Sequence, residues 1–228
     1  MARVVRLVVS TPVKTTFRSL PVALVLLLAG CSGAYYGAME KMGVPKREIL
    51  VDRVEKTSQA QTEAKQQFAD ALQHFLAVTK VDGGDLQKKY DTLNKEYQRS
   101  EARAKEVRER IAAVEDVAEA LFREWKQELA QYTSPALRAD SQRQLDATRR
   151  RYDALIGLMR RSADRMDPVV ATFKDQVLYL KHNLNAQALA QLDSTNRTLE
   201  ADITRLIADM DVSIREAETF IKSLKAAP

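Results

Sequence analysis

A long heptad pattern occupies the middle of this 228-residue chain. From Leu86 to Tyr132, apolar or small residues recur at alternating spacings of four and three, and Glu128 interrupts the pattern once. Such a pattern draws a single seam along an α-helix that packs against other helices. An unbroken helix over residues 85–131 would measure about 70 Å at 1.5 Å per residue, which favours long helices over a compact globule. The seam consists of Leu86, Tyr90, Leu93, Tyr97, Ser100, Ala104, Val107, Ile111, Val114, Ala118, Leu121, Trp125 and Tyr132.

Three other segments carry the same kind of seam. The first contains Leu50, Val54, Thr57, Gln61, Ala64, Phe68, Ala71, Phe75 and Val78. The next contains Ser141, Leu145, Thr148, Tyr152, Leu155, Met159, Ser162 and Met166, and continues through Val169, Phe173, Val177, Leu180 and Leu184. The last contains Leu192, Asn196, Leu199, Ile203, Leu206, Met210, Ser213, Ala217, Phe220 and Leu224. Because strand-like alternation is absent from the sequence, the predicted fold is all-α, an elongated antiparallel bundle of long helices with coiled-coil heptads.

Two breaks between the seams carry clear capping signals. Residues 81–84 include two adjacent glycines, which permit the positive φ that a helix stop needs, and Asp82 or Asp85 can begin the next helix. Further along, Ser134 is placed to act as the N-cap of a helix whose first residue is Pro135. Both breaks therefore predict turns between antiparallel helices.

Two further interruptions are weaker. Pro168 lies inside the third seam and predicts either a kink or a short break in that helix. The polar residues 193–195 predict another turn near the start of the last seam. The bundle is therefore expected to contain four or five helices.

The first thirty residues have the order of a secretory signal. Four basic residues lie before an apolar run at residues 20–29, which Gly30 and Cys31 follow. The run is shorter than the roughly 20 residues that a membrane-crossing helix needs. We therefore predict a cleaved signal peptide at residues 1–30, a lipidated tether at 31–45 and a helical coiled-coil bundle domain at 46–228.

The residues Leu28-Ala29-Gly30-Cys31 resemble the bacterial lipobox, in which the cysteine sulfur receives a diacylglyceryl group before cleavage. Cys31 is the only cysteine, so an intramolecular disulfide and a cysteine-built metal site are both excluded. Several acyl chains, at about 0.8 kcal/mol per buried CH₂, would anchor the chain to a membrane. The resemblance implies the outer membrane, facing the periplasm, because Ser32 rather than Asp follows the cysteine.

The net charge of the full chain differs from that of the predicted mature chain. Its net charge of +5 arises mainly before Cys31, where four of the 36 Lys and Arg residues and none of the 31 acidic residues lie. The predicted mature chain is close to neutral, so we expect no nucleic-acid binding. Its partners are expected to be the membrane, through the lipid on Cys31, and either another protein or further copies of itself.

Residues 35–43 (YYGAMEKMG), the pairs Lys46-Arg47 and Val54-Glu55, and residues 173–185 (FKDQVLYLKHNLN) resemble the DUF2959 family of proteobacterial lipoproteins. The resemblance spans nearly all of the predicted mature chain. It implies a lipoprotein with an all-helical fold but no reaction, ligand or partner. Some members carry an ATPase label, but this sequence contains no GxxxxGK[ST] phosphate-binding loop.

Few residues are candidates for chemistry. His74 and His182 are the only histidines, and neither has a metal-chelating spacing. A basic stretch suggests either a polyanion site or, because acids intersperse it, a salt-bridged helix face, which we favour. Its residues are Arg149, Arg150, Arg151, Arg160, Arg161 and Arg165. Four acids are expected on a solvated face: Glu115, Asp116, Glu119 and Glu124. Trp125 is expected in the core.

The sequence therefore predicts no catalytic residue, cofactor site or metal site, and we expect a protein that is not an enzyme. The leading hypothesis is a membrane-anchored helical scaffold or adaptor for protein contacts in the periplasm. A second hypothesis is self-assembly through heptads buried between chains. A third is an envelope lipid-binding protein or hydrolase, which would need a cavity that the seams do not predict.

Overall fold

The structure of the chain is a computed structural model that describes residues 31–80, 85–183 and 185–226. The predicted signal peptide at residues 1–30, the predicted turn at 81–84 and the seam residue Leu184 lie outside the described residues. Nearly every described residue belongs to a helix, and no strand occurs in these ranges. The prediction of an all-α bundle is confirmed.

The chain forms five helices, α1 (Cys31–Lys41), α2 (Lys46–Lys80), α3 (Leu86–Glu128), α4 (Pro135–His182) and α5 (Ala186–Ala226). A short 3₁₀ turn, Leu129–Gln131, follows α3. Helix α2 packs against α3 and α5, and α4 also packs against α3 and α5. The four long helices are therefore arranged as a square in which α2 and α4 lie on one diagonal, with α1 added outside it.

The predicted caps are present where the structure describes them. Asp85 caps α3, because its Oδ1 accepts the backbone N–H of Lys88 at 3.1 Å. Ser134 caps α4, because its Oγ accepts the backbone N–H of Leu137, and Pro135 is the first residue of that helix. These caps begin α3 and α4, each of which runs antiparallel to the helix before it.

The two weaker break signals do not end helices. Helix α4 continues through Pro168, so the predicted short break is absent. Proline costs a helix interior about 3 kcal/mol, but Val169 and Phe173 just beyond it are buried, and Phe173 stacks on Phe75 with ring centroids 4.4 Å apart. We infer that this packing outweighs the cost of the proline.

The predicted turn at residues 193–195 is wrong. Helix α5 begins before it, at Ala186, and runs without interruption to Ala226. The seam residues Leu192, Asn196 and Leu199 are all buried across this segment, whereas Ser194 is exposed. Ser194 therefore lies on the outer face of a helix whose inner face packs in the core.

The seams meet in one continuous core with a polar layer at its centre. Gln61 of α2 is fully buried, and its amide donates to Ser162 Oγ of α4 at 2.7 Å. Its carbonyl oxygen accepts from Ser213 Oγ of α5 at 3.0 Å. Since buried polar groups are stable only when they are paired, this layer favours a single register of three helices.

Substitution of Ser213 tests the polar layer. Ser213→Ala leaves the carbonyl oxygen of Gln61 without its donor, and we expect a loss of about 1–3 kcal/mol in the free energy of unfolding, measured with urea. Ser194→Ala on the exposed face of the same helix is the matched control and should change stability by less than about 0.5 kcal/mol. Equal losses in the two variants would contradict a stabilising role for the layer.

Candidate functional site

Residues 31–45, assigned by the sequence to a tether, contain helix α1 and the turn that reverses it. Gly43 has a φ of +84°, a conformation that glycine adopts without strain. Its N–H bonds the carbonyl of Glu40 at 2.9 Å, and the N–H of Val44 bonds the carbonyl of Met39 at 2.9 Å. This pair is a Schellman motif, and both Val44 and Met39 pack against the core. The motif folds α1 back along α2.

Tyr36 fixes α1 to the bundle. Only 1% of this residue is exposed, and its hydroxyl donates to Asp116 of α3 and accepts from Arg53 Nη1 of α2 at 2.7 Å. Arg53 also donates to the carbonyl of Ala113 at 2.6 Å. Burial and the hydrogen bond to Asp116 raise the pKa of Tyr36 to about 12. Tyr36 therefore packs against the bundle.

A buried lysine makes a second attachment between α1 and the bundle. Lys46, the first residue of α2, donates to Glu40 of α1 and to Glu124 Oε1 of α3, the latter at 2.9 Å. Burial alone would lower the pKa of Lys46, but the hydrogen bonds to the two carboxylates outweigh it and raise that pKa. The bond from Lys46 also lowers the pKa of Glu40. Three helices therefore meet in one charge network.

An open cavity lies at the same end of the bundle. At this end α2 begins and α5 ends, and Arg47 Nη2 bonds the carbonyl of Leu224 at 2.5 Å. Helix α3 and its 3₁₀ turn continue from Glu124 to Gln131, about 10 Å further at 1.5 Å per residue. The hairpin of α3 and α4 therefore overhangs the ends of α2 and α5. Beneath the overhang is a cavity of about 520 Å³.

The cavity is lined by apolar and polar side chains together, with charges of both signs. Leu121, Trp125 and Tyr132 line it from the α3 side, and Trp125 Nε1 donates to Ser141 Oγ of α4 at 2.8 Å. The lining also includes the acid Glu128 and the base Arg151. Its volume is in the range of small-molecule sites, and a lining that combines aromatic with charged side chains suits an amphipathic ligand. Trp125, expected in the core, therefore lies at a cavity wall.

The remaining candidates from the sequence are dispersed. His74 and His182 are on different helices, and His74 Nδ1 lies 3.3 Å from Glu96. Glu96, which sequence reasoning missed, is almost fully buried and accepts from Gln67 Nε2 at 2.8 Å. Within the described part of the chain, no cluster of three or more His, Cys, Asp or Glu residues is arranged to hold a metal ion.

Charged residues on the predicted helix faces form ion pairs. In the basic stretch Arg149 pairs with Asp153 at 3.2 Å, Arg160 pairs with Glu115 at 2.5 Å, and Arg165 pairs with Asp209. Each of the four acids proposed for the solvated face has a basic partner: Glu115 with Arg160, Asp116 with Arg53, Glu119 with Arg123 and Glu124 with Lys46. The arrangement fits salt-bridged helix surfaces.

The raised pKa of Tyr36 gives a pH-dependent test of the α1 attachment. The folded-state pKa is about 12 and the unfolded value about 10, so the stabilisation is fully present below about pH 10 and is lost as pH rises toward 12. Tyr36→Phe should cost about 1 kcal/mol at neutral pH and flatten the fall in stability above about pH 10, measured from urea midpoints.

Tyr35→Phe is the matched control, because the adjacent Tyr35 is 45% exposed. Its stability should follow that of the wild type at every pH. A Tyr36→Phe variant that loses stability with pH as steeply as the wild type would show that the phenol of Tyr36 does not fix α1.

Comparison with known proteins gives a family. No curated protein and no solved structure matches the chain. Among the described residues, none of the helices combines the length and the hydrophobicity needed to cross a membrane. A family model described as "Protein of unknown function (DUF2959)" matches residues 35–224, a span that begins within α1 and ends near the end of α5. The chain therefore belongs to the DUF2959 family.

Proposed function

We propose that this protein is a membrane-anchored lipoprotein that serves as a helical scaffold or adaptor for protein contacts in the bacterial envelope, without enzymatic activity. The observation that carries the proposal is the attachment of α1. This helix begins at Cys31, the residue that the lipobox resemblance marks for acylation, and Tyr36 fixes it to α2 and α3. A lipid on Cys31 would therefore hold the whole bundle at the membrane rather than a loosely tethered domain.

The shape of the bundle supports a scaffolding role. Helix α4 has 48 residues and is about 72 Å long at 1.5 Å per residue. The seams of the four long helices are buried against one another, so the outer surface is left for contacts. A self-assembled form would have to use this outer surface rather than the heptads. The lipobox context, with Ser32 after the cysteine, favours the outer membrane facing the periplasm.

Crosslinking in intact cells tests the proposal. A photocrosslinking residue placed at exposed positions along α4 should capture a defined envelope protein, identified by mass spectrometry, at a subset of adjacent positions. A version in which a cleavable signal without a lipobox replaces residues 1–31 cannot be acylated, and it should lose the membrane fraction and these crosslinks together. Crosslinks only between copies of this chain would support self-assembly instead, and a non-acylated version with its signal cleaved that remains on the membrane would contradict the lipid anchor.

The cavity under the α3–α4 overhang favours a second candidate function, the binding of an amphipathic envelope lipid. Its aromatic wall of Trp125 and Tyr132 suits an apolar chain, and Arg151 and Glu128 lie at the same cavity for a charged headgroup. Because the residues that line the cavity suggest no reaction, we infer that the lipid is bound rather than hydrolysed.

Filling the cavity tests lipid binding. Ala147 lines the cavity, so Ala147→Phe should exclude a ligand, whereas Ala139→Phe on the exposed surface of the same helix is the matched control. Native mass spectrometry of protein extracted from membranes should show a bound lipid in the wild type and in the control but not in Ala147→Phe. Identical spectra for all three proteins would remove this candidate.

A further inference from the structure

One side of α1, continued by Met42 just after the helix ends, carries mostly apolar side chains. The exposed residues described on this side are Ala34, Tyr35, Ala38, Lys41 and Met42. Tyr35, Ala38 and Met42 follow one another at spacings of three and four, so they share one face of the helix. Met42 is 72% exposed and Tyr35 is 45% exposed. The bundle covers this face only in part, through the contacts of the Tyr35 ring with Tyr36 and with the guanidinium of Arg53.

The backbone position of the cysteine falls on the same face. Position 31 precedes Tyr35 by four residues, so positions 31, 35, 38 and 42 continue one stripe at spacings of four, three and four. The opposite side of α1 carries Tyr36 and Glu40, which bond to α2 and α3. One side of the helix therefore packs on the bundle, and the other side carries the stripe that includes position 31.

The direction of α1 places position 31 beside the bundle rather than at its tip. Glu40 contacts Lys46 at the start of α2, and Tyr36 contacts Arg53 seven residues further along α2. Helix α1 therefore runs antiparallel to α2, and its first residue lies about 15 Å from Lys41 along the flank. Acyl chains attached to the residue at position 31 would therefore begin beside this flank.

We propose that the outer face of α1 lies on the lipid surface, so that the bundle rests along its α2–α3 flank instead of standing on one end. The proposal depends on the lipid at Cys31 in the proposed function and extends it to a contact surface. Tyr35 is suited to the headgroup level, Met42 to the acyl boundary, and the stem of Lys41 can extend its charge to water or phosphate. The only acid on α1, Glu40, is paired with Lys46.

A lipid surface fits this face better than a protein partner does. The stripe is only three side chains long, whereas specific protein interfaces bury about 800 Å² on each partner. It also shares its face with the attachment point of the acyl chains, so anchoring the chain brings this stripe to the bilayer. Short amphipathic helices next to a lipid anchor use such apolar faces to reinforce binding.

Depth-dependent quenching tests the proposal. The variants Met42→Cys and Leu137→Cys would each be labelled with a fluorophore, since the thiol of Cys31 is occupied in lipidated protein. Leu137 is the matched control, because it is also exposed, at 60%, and lies at the same end of the bundle but on α4. Both proteins would be bound to vesicles of phosphatidylethanolamine and phosphatidylglycerol that contain a lipid with a nitroxide near its headgroup.

The proposal predicts several-fold stronger quenching of the label at position 42 than at position 137, with unchanged helical content in both variants. Equal quenching, or stronger quenching at 137, would show that the bundle stands on its end and would overturn the flank contact while leaving the anchor intact. Protein whose intact mass shows no lipid, and which does not bind the vesicles, would overturn the flank contact and the proposed anchor together.

Discussion

Mutual burial of four long helical seams is the constraint on which the rest of the structure depends. Each of α2, α3, α4 and α5 has one inner face, and the square arrangement gives each face two adjacent neighbours. The helices are unequal, with 35 residues in α2 and 48 in α4, so the square cannot be complete at both ends. The overhang and its cavity follow from this inequality.

Much of this fold could be predicted from the sequence, because burial in a helical bundle depends on spacing. The four-and-three pattern identifies even polar inner residues such as Gln61 and Ser213, which are fully buried. Where seam and turn signals disagree, the seam is the better guide. The polar residues 193–195 and Pro168 are each tolerated within a helix because flanking seam residues such as Leu192 and Val169 are held in the core.

The candidate site was harder to predict, since its contacts join distant parts of the chain. The hydroxyl of Tyr36 meets Arg53 and Asp116, which are 17 and 80 residues away, and no local pattern reports such pairs. The spacing of Tyr36 and Met39 was the available signal for an inner face of α1. The cavity could not be predicted from the sequence either, because Leu121 and Trp125 occupy ordinary seam positions. They are only partly covered because α2 begins and α5 ends beside them.

These features together describe a helical bundle whose first helix begins at the proposed lipid anchor and is attached to the core. The anchor is the central claim, and the mass of the N-terminal peptide of protein purified from membranes tests it most directly. The account predicts a chain that begins at Cys31 and carries a diacylglyceryl group and an amide-linked acyl chain. A chain that begins elsewhere, or a Cys31 with a free thiol, would contradict it.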